Sequence, residues 1–458
     1  MATEQNLVDI LSGVVDDAII LRSNQVAALD PGWDADNNGA QVAVRPATTA
    51  DVSAVLKVCN QYEVSVVTHG GRTGLAGAAT SVPGQVIMLT DNLEGGIELD
   101  PLERVAVVSA AVTQQAVQEA AAEHGLALGL DTASRGSATV GGMISTNAGG
   151  MAAFRFGMMR QRLLGIEAVL ADGSIISDLT RVPKANEGYD LKQLLCGAEG
   201  TLGVVTKAVL KLEDAEPQSQ TVMLAIPGAA AALNLMRAVQ KTGGLLLCEM
   251  MWNGYATAVA EGAGMQKTLA FCPDAPAFLV IECALDEEAV LQVFEPFFDS
   301  GDIIDAVLAK SDTESADMWR VREDSQSGFR RLLNPMLFDI SIPLGQLDTY
   351  MLGLQQQLDA MRGEIELQAL AHLGDGNIHL SMGRQQAWSE EEVDALSKAV
   401  ERGVKSMGGA ISAEHGIGTA KLDTFNRNTS EASLAAMRAI KAALDPKGIL
   451  NPGKVLSA

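Results

Sequence analysis

The sequence predicts an α+β protein built from more than one domain. Its 458 residues exceed what a single hydrophobic core of ordinary size supports. Residues 42–68 have the pattern of a strand, a helix and a second strand, and the composition changes around Pro217, where strands such as FLVIECAL begin to alternate with helical runs such as AAALNLMRAV. We therefore expect domains at residues 1–216 and 217–411, with residues 412–458 packing back on earlier structure.

Local signals define the elements of the first domain. VAVRP, which begins at Val42, is apolar and β-branched and predicts a strand. Thr48 is followed three residues later by Asp51, the spacing of a capping box, and this predicts a helix that continues through Tyr62. A buried strand is expected at residues 64–68. The remaining expected elements are strands at residues 86–89, 105–110, 166–170 and 202–212 and a helix at residues 114–123.

The C-terminal part of the chain is expected to end in a helix followed by turns. A helical pattern begins near Glu431. It stops at DPKGILNPGKVL, residues 445–456, whose two prolines and two glycines are typical of a helix end.

Charge and composition exclude several classes of protein. The formal net charge of -24 would repel nucleic acid and anionic membrane surfaces, so neither is expected as a partner. Residues 1–13 contain Glu4 and Asp9 and lack a basic segment ahead of an apolar one, so we expect no secretory signal and a cytoplasmic protein. The longest uncharged window, residues 136–154, is too rich in Gly, Ser, Thr and Asn to span a membrane. The five cysteines form no CxxC pair, which favours buried thiols over a disulfide or thiolate metal site.

Three glycine-rich runs lie in the first half of the chain. The first, HGGRTGLAGAAT at residues 69–80, directly follows a predicted strand, where several backbone N–H groups could converge on an anion. A tight turn is the alternative. The spacing is not GxGxxG and no helix is expected next, which disfavours an NAD site. RGSATVGGMISTNAGG at residues 135–150 and GAEGTLGVVT at residues 197–206 are similar in composition, and both are expected to form loops.

Together these runs resemble the FAD domain of the vanillyl-alcohol oxidase type. GYDLKQLLCGAEGTLG, residues 188–203, resembles the branch of that family formed by D-2-hydroxyglutarate and D-lactate dehydrogenases. The resemblance implies a two-subdomain FAD-binding domain and an α+β substrate-binding cap domain with an antiparallel sheet. It also implies that the C-terminal segment returns to the flavin, and that backbone amides of successive loops hold the FAD pyrophosphate.

The resemblance further implies which residues bind FAD. Covalently flavinylated relatives carry His just after the paired glycines of the first loop, and this chain has Arg72 there, so we expect non-covalent FAD. His69 is open to two interpretations, a flavin contact or a role in loop packing. The expected cofactor contacts are Gly70, Gly71, Arg72, Thr73, Gly74 and Leu75 on one side of the pyrophosphate, Ser137, Gly141, Gly142, Ser145, Thr146 and Asn147 on the other, and in addition Gly200, Val205 and Asn451.

Three of the five histidines lie near the C-terminus. In ALAHLGDGNIHLSMG, residues 369–383, the Asp-Gly pair predicts a two-residue hairpin turn. Pairing Gly374 with Asn377 would then place His372 directly opposite His379, on one face of the sheet. Two imidazoles so placed could share a metal ion, or they could simply hydrogen-bond to each other.

A further pair of functional side chains follows in ISAEHGIGTAK, where Glu414 and His415 adjoin two glycines. Two imidazoles and one carboxylate form a common ligand set for a catalytic divalent ion. The family resemblance implies that His372, His379 and Glu414 bind the metal, that Asn377 contacts substrate, and that His415 is the general base. Zinc is the expected ion, and manganese, iron and cobalt accept the same ligands.

The expected reaction is oxidation of a D-2-hydroxy acid to the 2-oxo acid. The metal would lower the pKa of the substrate hydroxyl, His415 would take its proton, and a hydride would pass from C2 to flavin N5. The resemblance assigns Arg322, in MWRVRE, to a substrate carboxylate and implies that Gln326 and His415 also contact substrate. Gln326 and Leu337 stand where hydroxyglutarate-specific relatives have Ser or Thr and Lys. Both differences weaken recognition of a distal carboxylate, unless Arg330 or Arg331 replaces it. D-lactate, D-malate or a less polar D-2-hydroxy acid therefore stays open as the substrate, beside D-2-hydroxyglutarate.

Other functions compatible with these motifs are an oxidase or a glycolate-oxidising subunit of the same fold, and a flavin electron-transfer module without substrate chemistry. The expected electron acceptor is an electron-transfer flavoprotein or a quinone, and a homodimer is left open.

Overall fold

The computed structural model describes residues 3–361 and 363–457, and spatial contacts divide the chain into two units. The first unit consists of residues up to Gly150, Phe156–Ala215 and the residues from Glu414 onward. The second consists of Met151–Arg155 and Glu216–Ala413. These are spatial groupings, and the domain limits expected from the sequence stay a prediction.

Both units contain helices and largely antiparallel sheets, which is the content of an α+β fold. Within the described residues, no helix is both long enough and apolar enough to cross a membrane. The strands are β1 (Ile20–Leu21), β2 (Val42–Val44), β3 (Val66–His69), β4 (Val86–Leu89), β5 (Ile97–Asp100), β6 (Val105–Ser109), β7 (Leu126–Ala127), β8 (Leu163–Val169), β9 (Ile175–Asp178), β10 (Val204–Lys211), β11 (Glu213–Asp214), β12 (Gln220–Ile226), β13 (Leu245–Trp252), β14 (Ala277–Cys283), β15 (Asp305–Leu308), β16 (Met336–Ser341), β17 (Glu366–His372) and β18 (Asn377–Gly383). The helices are α1 (Glu4–Ser12), α2 (Ser23–Ala27), α3 (Thr49–Tyr62), α4 (Gln114–Ala122), α5 (Val140–Thr146), α6 (Ala153–Phe156), α7 (Met159–Arg162), α8 (Leu191–Leu195), α9 (Ala229–Thr242), α10 (Asn253–Ala263), α11 (Glu287–Ser300), α12 (Asp312–Glu323), α13 (Ser325–Phe329), α14 (Leu347–Asp359), α15 (Glu390–Glu401), α16 (Leu422–Asn428) and α17 (Glu431–Leu444).

The first unit contains two larger sheets. In the four-stranded sheet, β2, β4 and β3 are parallel and β1 pairs antiparallel with β2. The five-stranded sheet is antiparallel, in the order β5-β6-β10-β8-β9. Buried side chains of both sheets, such as Val66 and Val86 from one and Ile166 and Leu210 from the other, belong to one hydrophobic core. The strands expected from the sequence in this part of the chain are confirmed.

Helix α3 forms as its capping signal predicts. The Thr48 hydroxyl accepts a hydrogen bond from the Asp51 N–H, and the Asp51 carboxylate accepts one from the Thr48 N–H. The two side chains thus satisfy backbone donors that the first turn of a helix leaves without partners.

The second glycine-rich run is only partly a loop, contrary to expectation. Its central residues form α5, whose N-terminal cap is Thr139 and whose C-terminal cap is Asn147 in the left-handed conformation. A helix forms there because the Thr139 hydroxyl accepts the Gly142 N–H and Asn147 tolerates a positive φ angle.

The C-terminal segment returns to strand β3 of the first unit. The Val66 N–H donates to the Ile449 carbonyl at 2.7 Å, and the Asn451 N–H donates to the Val66 carbonyl at 2.8 Å. The end of the chain therefore continues the parallel pairing beyond β3.

The second unit is built on one seven-stranded antiparallel sheet, in the order β15-β12-β14-β13-β17-β18-β16. Phe278, Val280 and Met223 pack beneath helix α10 in its core. The strands β13, β17, β18 and β16 lie side by side, and they bring together the polar residues of this unit.

Candidate functional site

The histidine hairpin has a different register from the expected one. His372 lies opposite Asn377, and His379 lies opposite Leu370. The loop has four residues instead of two, because the Leu373 N–H bonds to Cys248 of β13 and the Asp375 carboxylate accepts the Asn377 N–H. The register differs by two residues, which preserves the face, so both histidines still lie on one face as a diagonal pair.

The two imidazoles meet at close range. Their Nε2 atoms are 3.2 Å apart, and the ring planes are inclined by 81°. His372 is only 6% exposed, whereas His379 is half-buried.

A buried ion pair between Glu249 and Arg322 contacts His372 on the Nδ1 side of its ring. Glu249, on β13 and fully buried, accepts the Arg322 Nε–H at 2.6 Å through one carboxylate oxygen and lies 2.9 Å from His372 Nδ1 through the other. Burial by itself raises the pKa of Glu249, but the charges of Arg322 and His372 more than offset this and keep that pKa below its usual value. Glu249 therefore fixes the orientation of the His372 ring as an anion.

A second buried carboxylate lies beside His379. Asp339, on β16, accepts the Asn377 side-chain N–H at 2.9 Å, and one of its oxygens is 3.7 Å from His379 Nδ1. Its other oxygen accepts the Ala413 N–H at 3.0 Å. Ala413 is the last residue of the second unit, so Asp339 anchors the chain directly before Glu414.

Two of the predicted substrate contacts have other partners. The Nε–H of Arg322 is used by Glu249, and an Nη2 atom of Arg322 lies 3.2 Å from His372 Nδ1. Gln326 is exposed on α13, where its side-chain oxygen accepts a hydrogen bond from Arg330. The structure thus brings Arg322 together with the histidines and leaves Gln326 at the surface.

The first unit contains a cavity where the three glycine-rich runs meet. The first run contributes Gly70 to Gly74, and the C-terminal segment contributes Asn451. The residues that line the cavity and were predicted to contact cofactor are Gly70, Gly71, Arg72, Thr73, Gly74, Gly141, Gly142, Ser145, Thr146, Gly200, Val205 and Asn451. Additional lining residues include Thr68, Thr132, Ser134, Thr139 and Glu199.

The first run has the properties of an anion cradle. Within the described part of the chain, the backbone N–H groups of residues 71–75 make no hydrogen bonds to protein. The Nε and Nη1 atoms of Arg72, and the hydroxyl of Thr68, are buried and likewise have no partner among the described residues. A side chain at Gly71 would collide with the Ser137 carbonyl, so glycine is needed for the close approach of the two runs.

Other predicted cofactor residues act in the protein framework. The Gly141 N–H bonds to the Ala110 carbonyl and the Gly142 N–H to Thr139, so both amides have protein partners. The Asn147 side chain accepts the Arg160 N–H. Leu75 is 37% exposed, and neither it, Ser137 nor Asn147 lines the cavity.

Asn451 organises the loops around the cavity. Its side-chain oxygen accepts the Thr68 N–H at 3.0 Å, and its side-chain N–H donates to the Glu199 carbonyl at 2.8 Å. The residue therefore joins the end of β3 to the third glycine-rich run.

The second and third glycine-rich runs hold the turn that carries Glu414 and His415. The Glu414 carboxylate accepts the Gly150 N–H at 2.7 Å, and the Glu199 carboxylate accepts the N–H groups of Ile417 and Gly418, each at 2.7 Å. His415 is half-buried within the turn.

Three acidic site residues were not predicted from the sequence, namely Glu249, Asp339 and Glu199. A signal existed for the first two, since each is an acidic residue within an apolar strand, LLLCEMMW and MLFDIS. A carboxylate at such a position is rarely buried unless it has a partner.

Comparisons with known proteins agree with this architecture. Residues 216–455 match the family of FAD-linked oxidases in their C-terminal domain, and residues 40–178 match an FAD-binding domain. A D-2-hydroxyglutarate dehydrogenase of Xanthomonas citri pv. viticola is 32% identical over 419 residues, 90% of this chain and 88% of that protein. A D-lactate dehydrogenase of Archaeoglobus fulgidus is 34% identical over 423 residues, 91% of each chain.

Among solved structures, p-cresol methylhydroxylase with substrate bound is similar at a TM-score of 0.74, over 98% of this chain and 96% of that chain, with 16% sequence identity. That likeness concerns the fold alone and confirms the predicted vanillyl-alcohol oxidase type. The family match and the relatives named D-2-hydroxyglutarate dehydrogenase confirm the predicted enzyme class. The chain belongs to the FAD-linked oxidases, on the branch of the FAD-dependent D-2-hydroxyacid dehydrogenases.

Proposed function

We propose that this chain uses non-covalent FAD and one divalent metal ion, with Zn²⁺ as first choice, to oxidise a short D-2-hydroxy acid of the lactate or malate class to the 2-oxo acid. The observation that carries the proposal is the 3.2 Å separation of the Nε2 atoms of His372 and His379 on a sheet face that also holds two buried carboxylates.

The cavity of the first unit fits the pyrophosphate of FAD. Successive N–H groups without protein partners, next to the buried guanidinium atoms of Arg72, form a site for an anion. Arg72 stands where covalently flavinylated relatives have His, and arginine supplies positive charge without a nucleophilic ring nitrogen. We therefore expect FAD to leave the protein on acid precipitation.

The histidine pair fits a tetrahedral ion. Two nitrogen ligands that each lie about 2.0–2.1 Å from such an ion are roughly 3.3 Å from each other. On the other side of the rings, the Nδ1 atoms of His372 and His379 face Glu249 and Asp339. Ligand histidines usually have such a carboxylate partner, which orients the ring and increases its basicity.

Glu414 is proposed as the third ligand and His415 as the general base. The support is chain continuity, because Ala413 is hydrogen-bonded to Asp339, which itself adjoins His379, and consecutive Cα atoms are only about 3.8 Å apart. Glu414 is also restrained by the Gly150 N–H.

Each residue of the site has a separate role in the proposed reaction. When bound, FAD accepts the hydride and the metal ion makes the substrate hydroxyl more acidic. His415 takes the hydroxyl proton. Asn377 accepts a hydrogen bond from substrate, since its side-chain oxygen is buried and has no partner among the described residues. Arg322 supplies positive charge for the substrate carboxylate, while its Nε donates to Glu249.

The neighbours of the histidines disfavour a substrate with the longer carboxylate arm of D-2-hydroxyglutarate. The cross-strand register places Leu337 opposite Ser381, two residues along β18 from His379 and on the same face. Neither side chain carries a charge. Arg331 is paired with Glu261 and Arg330 with Gln326, so both candidate replacements for a carboxylate-binding lysine have other partners.

The test is reduction of the bound flavin under anaerobic conditions. D-lactate and D-malate should bleach the visible flavin absorbance, and their L-isomers should not. D-2-hydroxyglutarate should act more slowly. Rapid peroxide release under air would point to an oxidase instead, and an unbleached flavin with every acid would eliminate the proposed reaction.

A further inference from the structure

Glu199 connects the cofactor cavity to the turn that carries Glu414 and His415. It is 5% exposed, lines the cavity, and its two carboxylate oxygens each accept one backbone N–H, from Ile417 and from Gly418, at 2.7 Å. All of these residues belong to the first unit.

Glu199 is itself held rigidly. Its N–H donates to the Ser145 carbonyl at 2.8 Å, and its carbonyl accepts the Asn451 side-chain N–H at 2.8 Å. Its φ angle of 51° lies in the left-handed region, which a non-glycine residue adopts at an energetic cost. The strained backbone conformation directs the carboxylate at the turn.

The contact requires a carboxylate. Two N–H donors need two acceptor atoms, and only Asp or Glu offers two acceptor oxygens without an N–H of its own. A glutamine would present one oxygen, and its NH₂ group would face the second N–H. Gly416 is part of the same fit, since a Cβ there would lie 2.7 Å from the nearer carboxylate oxygen.

We propose that Glu199 is a positioning residue, which fixes the direction in which Glu414 and His415 leave their turn and thereby couples the cofactor cavity to the proton-accepting group. The inference rests on the proposed function for the roles of Glu414 and His415. The clamp, by which we mean the two hydrogen bonds from the Ile417 and Gly418 N–H groups to the Glu199 carboxylate, rests only on contacts within the first unit.

The test compares Glu199→Gln with wild type, both loaded with FAD. Hydrogen exchange at the amides of residues 417 and 418 should become at least about tenfold faster in the variant. The kcat for flavin reduction by D-lactate or D-malate should fall on the order of 100-fold with KM little changed, because the substrate contacts remain while the base is displaced. FAD content should equal that of wild type.

Glu167→Gln is the matched control. Glu167 is also a hydrogen-bonded carboxylate of the first unit, but its partners lie away from the turn and include Thr49, Ser177, Thr206 and Lys207. This variant should change neither the exchange rates at residues 417 and 418 nor kcat.

Three results would overturn the inference: wild-type exchange in Glu199→Gln, faster exchange with unchanged kcat, or equal effects in the Glu167 control. If Glu199→Gln loses FAD, Gly416→Ala disturbs the same contact from outside the cavity and must reproduce the faster exchange. If no D-2-hydroxy acid reduces the wild-type flavin, the proposed function fails, and the exchange data alone still decide whether the clamp exists.

Discussion

The Nε2 atoms of His372 and His379 lie 3.2 Å apart although the two residues are not opposite each other in the hairpin. Asn377 occupies the place opposite His372, so the imidazoles approach diagonally and cross at 81°. This arrangement directs one nitrogen of each ring toward a common point and leaves the other beside a buried carboxylate.

Removal of one imidazole should remove the metal. We expect the His379→Ala variant to lose its bound divalent ion on dialysis. Substrate should reduce its flavin more than roughly 100-fold more slowly, because even substitution of a residue that hydrogen-bonds to a metal ligand lowers metal affinity or activity about 10–100-fold. Elemental analysis and stopped-flow absorbance measure the two effects. His124→Ala, at an exposed histidine, is the control. Full metal content in His379→Ala would show that the pair is only hydrogen-bonded.

Glu249→Gln should be strongly destabilising. The change leaves the Arg322 guanidinium buried without its counter-charge, and loss of one partner of a buried ion pair costs about 3–5 kcal/mol. The free energy of unfolding in urea measures this. Glu261→Gln disrupts the exposed pair with Arg331 and should cost about 1 kcal/mol or less. Equal losses in the two variants would contradict the assigned role of Glu249.

Arg72→Gln should weaken FAD binding about 10–100-fold, because a charge-assisted hydrogen bond to phosphate contributes about 1.5–3 kcal/mol. Titration of apoprotein with FAD gives the affinity. Arg104→Gln is a close control, since Arg104 has the same φ angle of 54° but pairs with Asp214 at the surface. Undiminished affinity in Arg72→Gln would place the pyrophosphate elsewhere.

Leu337→Lys should shift substrate preference toward D-2-hydroxyglutarate. A lysine there would add a positive charge on the face that carries His379, and the ratio of kcat/KM for D-2-hydroxyglutarate over D-lactate should rise at least about tenfold. Leu352→Lys, at an exposed position of α14, controls for added charge. An unchanged ratio would mean that the substrate tail points away from β16.

Stability should decline in mild acid because of His69. Burial lowers the pKa of His69 from 6.5 to about 4, so the unfolded chain binds a proton in this range that the folded chain does not. Stability therefore increases with pH between about 4 and 6.5, by roughly 3 kcal/mol over the whole window. His69→Gln should flatten this slope in urea titrations at several pH values, whereas His124→Gln should not. A slope that persists in His69→Gln would assign it to other groups.

Locally encoded elements could be predicted from the sequence. Helix α3 begins at its capping box and ends at Tyr62 as expected, because both signals lie within a few residues of the helix itself. The strand at Val42 and the helix at Glu431 likewise depend on local pattern.

The features that were predicted incorrectly depend on distant segments. The Asp-Gly pair favours a two-residue turn, but Leu373 bonds to Cys248 of β13, which moves the register. Glycines disfavour a helix at residues 140–146, yet α5 forms because, in addition to its local caps, the N–H groups of Val140 and Gly141 bond to the β6–α4 connection. Glu249 escaped detection for the same reason, since its partners Arg322 and His372 follow much later in the chain.

The pairing of Val66 with the segment around Leu450 has a consequence for biosynthesis. The parallel pairing at β3 requires residues 449–451, which are synthesised after every residue of the second unit. The second unit can therefore fold first, during translation. The open edge of β3 stays exposed until residues 449–451 have been synthesised. A nonsense mutation that stops the chain just before Ile449 should consequently yield aggregation-prone protein and not merely a shortened enzyme.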